Sequence, residues 1–199
     1  MEKENCIRAF IAIDLPQQIK STFLAINESL KVRLSTKIRW VNVQNIHITL
    51  KFLGHINANL VASITDSMYS ATEDINPFNL CLGHLMLLPT PHKPKTLSMS
   101  VSGDLTILRQ VQESVERQIG ALGFAKNQRV FRPHITIARF KDNLSTISHK
   151  RIQEEAILQD KTWTVTELVL VKSTLTPKGP IYQKLCVQAL GKYRKNKII

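Results

Sequence analysis

Residues 45–54, NIHITLKFLG, contain the pattern that predicts both the fold and the site of this protein. A closely similar string, PHITIARF, occupies residues 133–140 and places a second histidine 134 − 47 = 87 positions after the first. Because side chains alternate between the two faces of a β-strand, His47 and Thr49 project from one face and Ile48 projects from the other. Each copy therefore predicts a strand that faces a core on one side and presents a His–Thr pair on the other.

Two such strands can form a proton-transfer site. His134 and Thr136 repeat His47 and Thr49, so neighbouring strands would bring two imidazoles and two hydroxyls into one pocket. An imidazole titrates near neutral pH, so one ring can accept a proton from water while the other donates one to a leaving oxygen. Threonine hydroxyls can donate hydrogen bonds to phosphate oxygens where charge builds up. The pattern favours hydrolysis of a phosphodiester without a metal.

The remaining pattern alternates short strands with amphipathic helices. We predict strands at 7–15, 38–41, 46–53, 78–88, 96–101, 134–139, 163–175 and 181–190. Apolar residues at spacings of 3 and 4 predict three helices, with the faces Ile19/Phe23/Ile26/Leu30, Leu60/Ile64/Met68/Ala71 and Leu108/Val111/Val115/Ile119/Leu122. A weaker helix is predicted near 148–157. This order is neither a strict β–α repeat nor an all-β run, so it predicts an α+β fold.

The sequence also predicts where two helices begin or end and how the chain is divided into domains. Asp14 is expected near the cap of the first helix, Asp104 is expected to cap the third, and Gly123 is expected to end it. We find no linker that divides the chain, so we predict a single domain over 1–199 with two pseudo-symmetric lobes. The His47 motif would lie in one lobe and the His134 motif in the other.

The charge of the chain is strongly basic. Its formal net charge is +12, and the last stretch supplies four of those charges, which leaves 12 − 4 = +8 for the body. A basic body favours polyanions such as nucleic acid, or an anionic small molecule. Residues 192–199 are predicted to be a flexible, solvated tail.

Other features exclude several classes of protein. The chain has no apolar run near the roughly 20 residues that span a bilayer and a poor candidate signal peptide, so we expect a cytoplasmic location. Three scattered cysteines argue against a disulfide framework and predict buried reduced thiols. The sequence lacks H-E-x-x-H, phosphate-loop, dinucleotide and G-x-S-x-G motifs. The isolated histidines are interpreted as structural or surface residues: His55, His84, His92 and His149.

The paired motifs resemble those of the 2H phosphoesterase superfamily, and most of all its RNA 2′,3′-cyclic phosphodiesterases, also called 2′-5′ RNA ligases. The resemblance runs nearly end to end, through RAFIAIDLP, RWVNVQNIHITLKFLG, FRPHITIARF and ELVLVKSTLTPKGPIYQKL. It implies a bilobal α+β fold, in which two antiparallel sheets flank a central cleft and helices lie on the outside. It also implies hydrolysis of an RNA-terminal 2′,3′-cyclic phosphate to a 2′-phosphate, with no metal and no cofactor.

The resemblance also implies a role for each motif residue. His47 would donate a proton to the leaving 3′ oxygen, His134 would accept one from water, and Thr49 and Thr136 would hold the phosphate. Some members of the family also join RNA ends through a 2′-5′ bond, which is the same chemistry in reverse.

Two further residues are candidates for substrate binding. The resemblance places an arginine near the phosphate five residues after the second histidine, and Arg139 matches it. Strict alternation puts Arg139 on the face of Ile135, away from His134, so a β-bulge or the strand end would be needed to turn it into the cleft. Phe52 is a candidate for stacking on a terminal base, with Phe131 and Phe140 as alternatives.

The expected partner is RNA with a 2′,3′-cyclic phosphate end, and we expect a monomer that does not bind membranes. Two alternatives remain open. The enzyme could act instead on a small cyclic nucleotide or a 2′-5′-linked oligonucleotide. The protein could also be a catalytically silent RNA-binding protein that retains the basic cleft.

Overall fold

A computed structural model describes residues 5–34, 38–140, 161–177, 179–191 and 197–198. Three α-helices follow the predicted apolar periodicity: α1 Gln17–Arg33, α2 Val61–Thr72 and α3 Leu105–Ala121. Ten strands complete this part of the chain: β1 Cys6–Asp14, β2 Ile38–Trp40, β3 His47–Asn57, β4 Phe78–Leu88, β5 Thr96–Gly103, β6 His134–Phe140, β7 Thr162–Val165, β8 Glu167–Thr176, β9 Gly179–Ala189 and β10 Lys197–Ile198.

Every strand pair is antiparallel, and the strands form two groups that meet at the repeated motifs. One group runs β10-β9-β8-β1-β3 and the other runs β6-β5-β4-β7. The two groups are joined where Ile48 of β3 lies opposite Ile135 of β6. Farther along β6, β2 takes the place of β3 as its neighbour, so the two groups separate from this point. The predicted α+β fold is confirmed, and the single domain with two pseudo-symmetric lobes stays a prediction.

The main core lies on the face of the sheet that the helices cover. Ile48 and Ile135 are fully buried there, together with the central apolar residues of each helix. The helix faces predicted from spacing are correct except at their ends, where Leu60 and Leu122 are each 38% exposed. Both residues lie just outside the helices, where the 3.6-residue period no longer decides which way a side chain points.

The opposite face of the sheet carries a small second cluster. Phe10 and Ala12 of β1 pack there with Val169 and Val171 of β8, and Tyr182 lies against them. Alternate residues of β1 therefore serve two different surfaces: Ala9, Ile11 and Ile13 join the helix-covered core, whereas Phe10 and Ala12 face the cleft. This face also carries the polar members of the repeated motifs.

Some local predictions are wrong. The predicted strand over 163–175 is two strands, because β7 pairs with β4 whereas β8 pairs with β1 and β9 in the other group. Asp104 precedes α3 but makes no cap hydrogen bond with its side chain; its carboxylate accepts from the backbone N–H of Asn79 instead. Cys6 is exposed, unlike the buried Cys186. Gly123 ends α3 as predicted, with a φ of +88°.

Other predictions fall outside the described residues or remain predictions. The helix near 148–157 lies outside the described residues. Most of the proposed tail over 192–199 does too, although the Lys197–Ile198 backbone pairs with β9. Within the described part of the chain, no helix combines the length and the apolar character needed to cross a membrane.

Candidate active site

The two motif histidines lie on neighbouring central strands. The pairing of Ile48 with Ile135 fixes the register of β3 against β6. Extending this antiparallel register by one residue each way puts His47 across from Thr136 and Thr49 across from His134. The four side chains therefore form a two-by-two array on the cleft face, as the repeated pattern predicts.

Both imidazoles are held in the same way. The Nδ1 atom of His47 lies 2.7 Å from the carbonyl oxygen of Asn45, and that of His134 lies 2.7 Å from the carbonyl oxygen of Arg132. A carbonyl can only accept, so each Nδ1 carries the proton and donates it. The Nε2 atom of each ring is then the position that can gain or lose a proton.

His47 is enclosed by aromatic rings. Phe10 stacks on it with a centroid distance of 4.7 Å, and Tyr182 meets it edge-on at 5.6 Å. Burial lowers the pKa of His47 below its ordinary value of 6.5, and the positive charges of His134 and Arg139 lower it further. The Asn45 hydrogen bond and the charge of Asp14 oppose this shift without reversing it.

Asp14 anchors one side of His47, a role that sequence analysis missed. It lies opposite His47 in the β1–β3 register. Its carboxylate is 2.7 Å from Lys20 Nζ and 2.6 Å from Lys184 Nζ. Burial alone would raise the pKa of Asp14, but its contacts with Lys184 and Lys20 outweigh burial and lower it. The alternation of side chains along β1 could have revealed this placement, because Asp14 falls on the same face of the strand as Phe10.

Matching irregularities follow the two motifs and change which residues face the cleft. The register shifts after Thr49 in β3 and after Thr136 in β6, so one extra residue enters each strand. As a result, Leu50 and Lys51 are both buried, and so are Ile137 and Ala138.

This shift brings the fifth residue after each histidine to the cleft face. Arg139 lies there, where its charge also lowers the pKa of Tyr182 against the larger effect of burial. Phe52 holds the equivalent position in the first copy; it is 61% exposed and its ring lies 6.2 Å from that of Phe10. The alternation argument that turned Arg139 away from His134 is therefore wrong, because the bulge reverses it.

A row of hydroxyls on β5 continues the site beside the second motif. Thr96 lies opposite Arg139, Ser98 opposite Thr136 and Ser100 opposite His134. Directly opposite residues share a face of the sheet, so Thr96 and Ser100 border the cleft, whereas Ser98 is fully buried with its hydroxyl 3.4 Å from that of Thr96. Sequence analysis missed them, although the T-x-S-x-S spacing of this strand was a usable signal.

Arg39 is a second cation at the same end of the cleft. It lies opposite Arg139 in the β2–β6 pair. One of its Nη atoms is 3.4 Å from the position that a Cβ on Gly179 would occupy. Gly179 begins β9 in the other strand group, so Arg39 approaches that group from across the cleft.

The remaining histidines lie outside the two motifs. His84 is exposed, and its Nδ1 is 3.1 Å from the Ser100 hydroxyl. His55 and His92 are exposed as well, whereas His149 lies outside the described residues. Across the described ranges, no three His, Cys, Asp or Glu side chains are grouped in a way that could hold a metal ion.

Comparison with protein families gives one match that covers most of the chain. The model of the 2′-5′ RNA ligase superfamily matches residues 28–176. A relative named RNA 2′,3′-cyclic phosphodiesterase, from Aeropyrum pernix, is 31% identical over 150 residues, which is 74% of this chain and 84% of that protein. One from Methanocaldococcus jannaschii with the same name is 29% identical over 179 residues, which is 89% of this chain and 97% of its own.

Solved structures agree on the fold. A protein of Thermus thermophilus superposes with a TM-score of 0.77 at 24% identity, covering 94% of this chain and all of that one. The structure of E. coli LigT complexed with 3′-AMP gives a TM-score of 0.74 at 23% identity, covering 93% and 98% of the two chains.

Proposed function

The chain belongs to the 2′-5′ RNA ligase superfamily, and we propose that it is a hydrolase that opens RNA-terminal 2′,3′-cyclic phosphates to 2′-phosphates. Relatives that carry the name RNA 2′,3′-cyclic phosphodiesterase match most of the chain. The observation that carries the proposal is the pair of imidazoles on β3 and β6, each with Nδ1 bonded to a carbonyl and Nε2 left for proton transfer.

The reaction divides between the two rings. Water attacks the phosphorus while neutral His134 takes a proton from it, and the bond from phosphorus to the 3′ oxygen breaks. Protonated His47 gives its proton to that leaving oxygen, so the product carries a 2′-phosphate and a free 3′ hydroxyl. Thr49 and Thr136 donate hydrogen bonds to the non-bridging oxygens. The two rings must exchange protons with solvent before the next turnover.

Because the pKa of His47 is lowered, the bound substrate helps to keep this ring protonated. A ring that donates must be charged, yet burial and the positive charge of Arg139 favour the neutral form of His47. The cyclic phosphate is an anion, so its arrival offsets the positive charge of Arg139 and raises the pKa of His47. Arg139 would then hold the phosphate while Phe52 offers its exposed ring to the terminal base.

We further propose that a monomer suffices, since one chain supplies both motifs, and that the reaction needs no metal. The related 2′-5′ joining of RNA ends would use a 5′ hydroxyl as the nucleophile in place of water. A cytoplasmic location and the absence of membrane binding remain part of this proposal.

The test is an oligoribonucleotide that ends in a 2′,3′-cyclic phosphate, incubated with excess chelator, followed by identification of the phosphate position. We expect a 2′-phosphate product. Replacing His47 or His134 with alanine should lower turnover by about 10²–10⁴, the usual contribution of a positioned proton-transfer group. His92→Ala, a change at an exposed histidine in a loop outside the site, is the matched control.

Three results would contradict the proposal. Activity that is lost on chelation and restored by a divalent ion would show that a metal supplies the chemistry. A fully active His134→Ala protein would remove the proposed base. RNA binding without any turnover would favour the silent binding protein.

A further inference from the structure

Arg8 extends the cleft face beyond the catalytic array. It belongs to the same alternate set of β1 residues as Phe10 and Ala12, which face the cleft. One of its Nη atoms lies 3.5 Å from the hydroxyl oxygen of Ser173, and His55 stands opposite it on β3. These three polar side chains flank the aromatic cluster on the side away from Asp14.

The guanidinium of Arg8 has N–H donors that remain available for a ligand. Among the residues that the structure describes, no carboxylate forms an ion pair with it. Asp14, the acid on the cleft face of the same strand, is already bound by Lys20 and Lys184. A guanidinium carries five N–H donors, and the long contact with Ser173 occupies one of them. The Ser173 hydroxyl accepts in that contact and is itself nearly fully buried, so Arg8 is the more accessible of the two.

Arg8 is close enough to the site to serve the same ligand. Burial raises the pKa of Tyr182, the charge of Arg8 offsets part of that rise, and Tyr182 contacts His47. Two residues of strand, roughly 7 Å, separate Arg8 from Phe10, and Phe10 stacks on His47. An RNA strand that runs from His47 past Phe10 would therefore pass Arg8.

We propose that Arg8, with Ser173 and His55 beside it, binds the phosphodiester that precedes the terminal nucleotide of the RNA substrate. This inference rests on the proposed function and names a second phosphate subsite for it. The terminal base would lie against Phe52, between the two phosphates. A mononucleotide cannot reach Arg8, so the subsite favours an RNA strand over a small cyclic nucleotide.

Binding of reaction products tests the subsite independently of catalysis. We would measure the affinity of adenosine 2′-phosphate and of ApA with a terminal 2′-phosphate by calorimetry at several salt concentrations. The wild type should bind the dinucleotide more tightly. Arg8→Gln should weaken dinucleotide binding about three- to tenfold, as expected for one partly exposed charge-assisted contact, and leave mononucleotide binding within about twofold.

The salt dependence gives a second readout. Loss of one neutralised phosphate should reduce the log–log slope for the dinucleotide by about 0.7, and Arg8→Lys should retain that slope because it keeps the charge. Arg109→Gln removes the same charge from the exposed side of α3, on the opposite face of the sheet, and should change neither ligand.

Several outcomes would overturn the subsite. Equal affinities of the wild type for the two ligands would do so whether or not Arg8→Gln folds. If Arg8→Gln weakened the binding of both ligands equally, Arg8 would either contact the reacting phosphate or stabilise the fold. An unchanged affinity of Arg8→Gln for the dinucleotide would show that Arg8 makes no phosphate contact. A wild-type protein that does not hydrolyse the cyclic phosphate, but still binds the dinucleotide more tightly than the mononucleotide, would instead count against the proposed function alone.

Discussion

Replacing Asp14 with asparagine should reveal how much the anchor beside His47 contributes. The carboxylate joins three elements, because it lies at the end of β1 and pairs with Lys20 of α1 and Lys184 of β9. Asparagine has nearly the same shape and can still accept from the backbone N–H of Leu15. The substitution therefore removes the negative charge and little else.

The two ion pairs differ in burial, and so should their contributions. Lys184 is 41% exposed, and a pair of that kind contributes about 0.2–1 kcal/mol. Lys20 is 8% exposed and Asp14 22%, so their pair falls below the roughly 3–5 kcal/mol lost on breaking a fully buried one. We expect Asp14→Asn to reduce the free energy of unfolding by about 2–4 kcal/mol near neutral pH. For a domain of this size, that lowers Tm by roughly 5–15 °C.

The stability lost in Asp14→Asn should become smaller as the pH falls. The lysines lower the pKa of folded Asp14 below its ordinary value of 3.8. The stability it contributes is therefore fully present above the unfolded pKa and is lost as pH falls through the folded one. Asparagine does not titrate, so the difference between wild type and variant should narrow below about pH 4. The variant should also lower the pKa of His47 further, because the charge of Asp14 raises it.

Urea unfolding of wild type and variant from neutral to acid pH would measure this. Glu28→Gln, which breaks the exposed pair between Glu28 and Lys31 on α1, is the control and should cost less than about 1 kcal/mol. A penalty for Asp14→Asn no larger than that of the control would refute the reasoning. So would a penalty that is the same at acid and neutral pH.

Two other predictions concern the site and its support. NMR titration should give His47 a pKa below 6.5, and Arg139→Gln or added phosphate product should raise it, since either change weakens a positive neighbour's effect; an unchanged pKa would place Arg139 too far away to matter. Lys51 is 2.6 Å from Glu116 and fully buried, so Lys51→Met should cost about 3–5 kcal/mol. The double variant Lys51→Met/Glu116→Leu should recover part of that loss in chemical denaturation, and strictly additive penalties would argue against a coupled pair.

Much of this protein followed from periodicity in the sequence. A period of two placed His47 and Thr49 opposite Ile48, and the same period in the second copy placed His134 and Thr136 opposite Ile135. Periods near 3.6 identified the buried faces of all three helices. These patterns are local, because the direction of a side chain depends on the backbone of its own strand or helix. The α+β class and the paired motifs could therefore be predicted without any knowledge of strand order.

Only the tertiary structure decided what lies beside each motif. The bulges after Thr49 and Thr136 depend on how each strand pairs with its neighbours, and they turn Phe52 and Arg139 toward the cleft. Asp14 lies opposite His47 because β1 pairs with β3 in one particular register, although 33 positions (47 − 14) separate them in the chain. Pairing partners and register are set by packing across the whole sheet, and a single strand's sequence does not contain them.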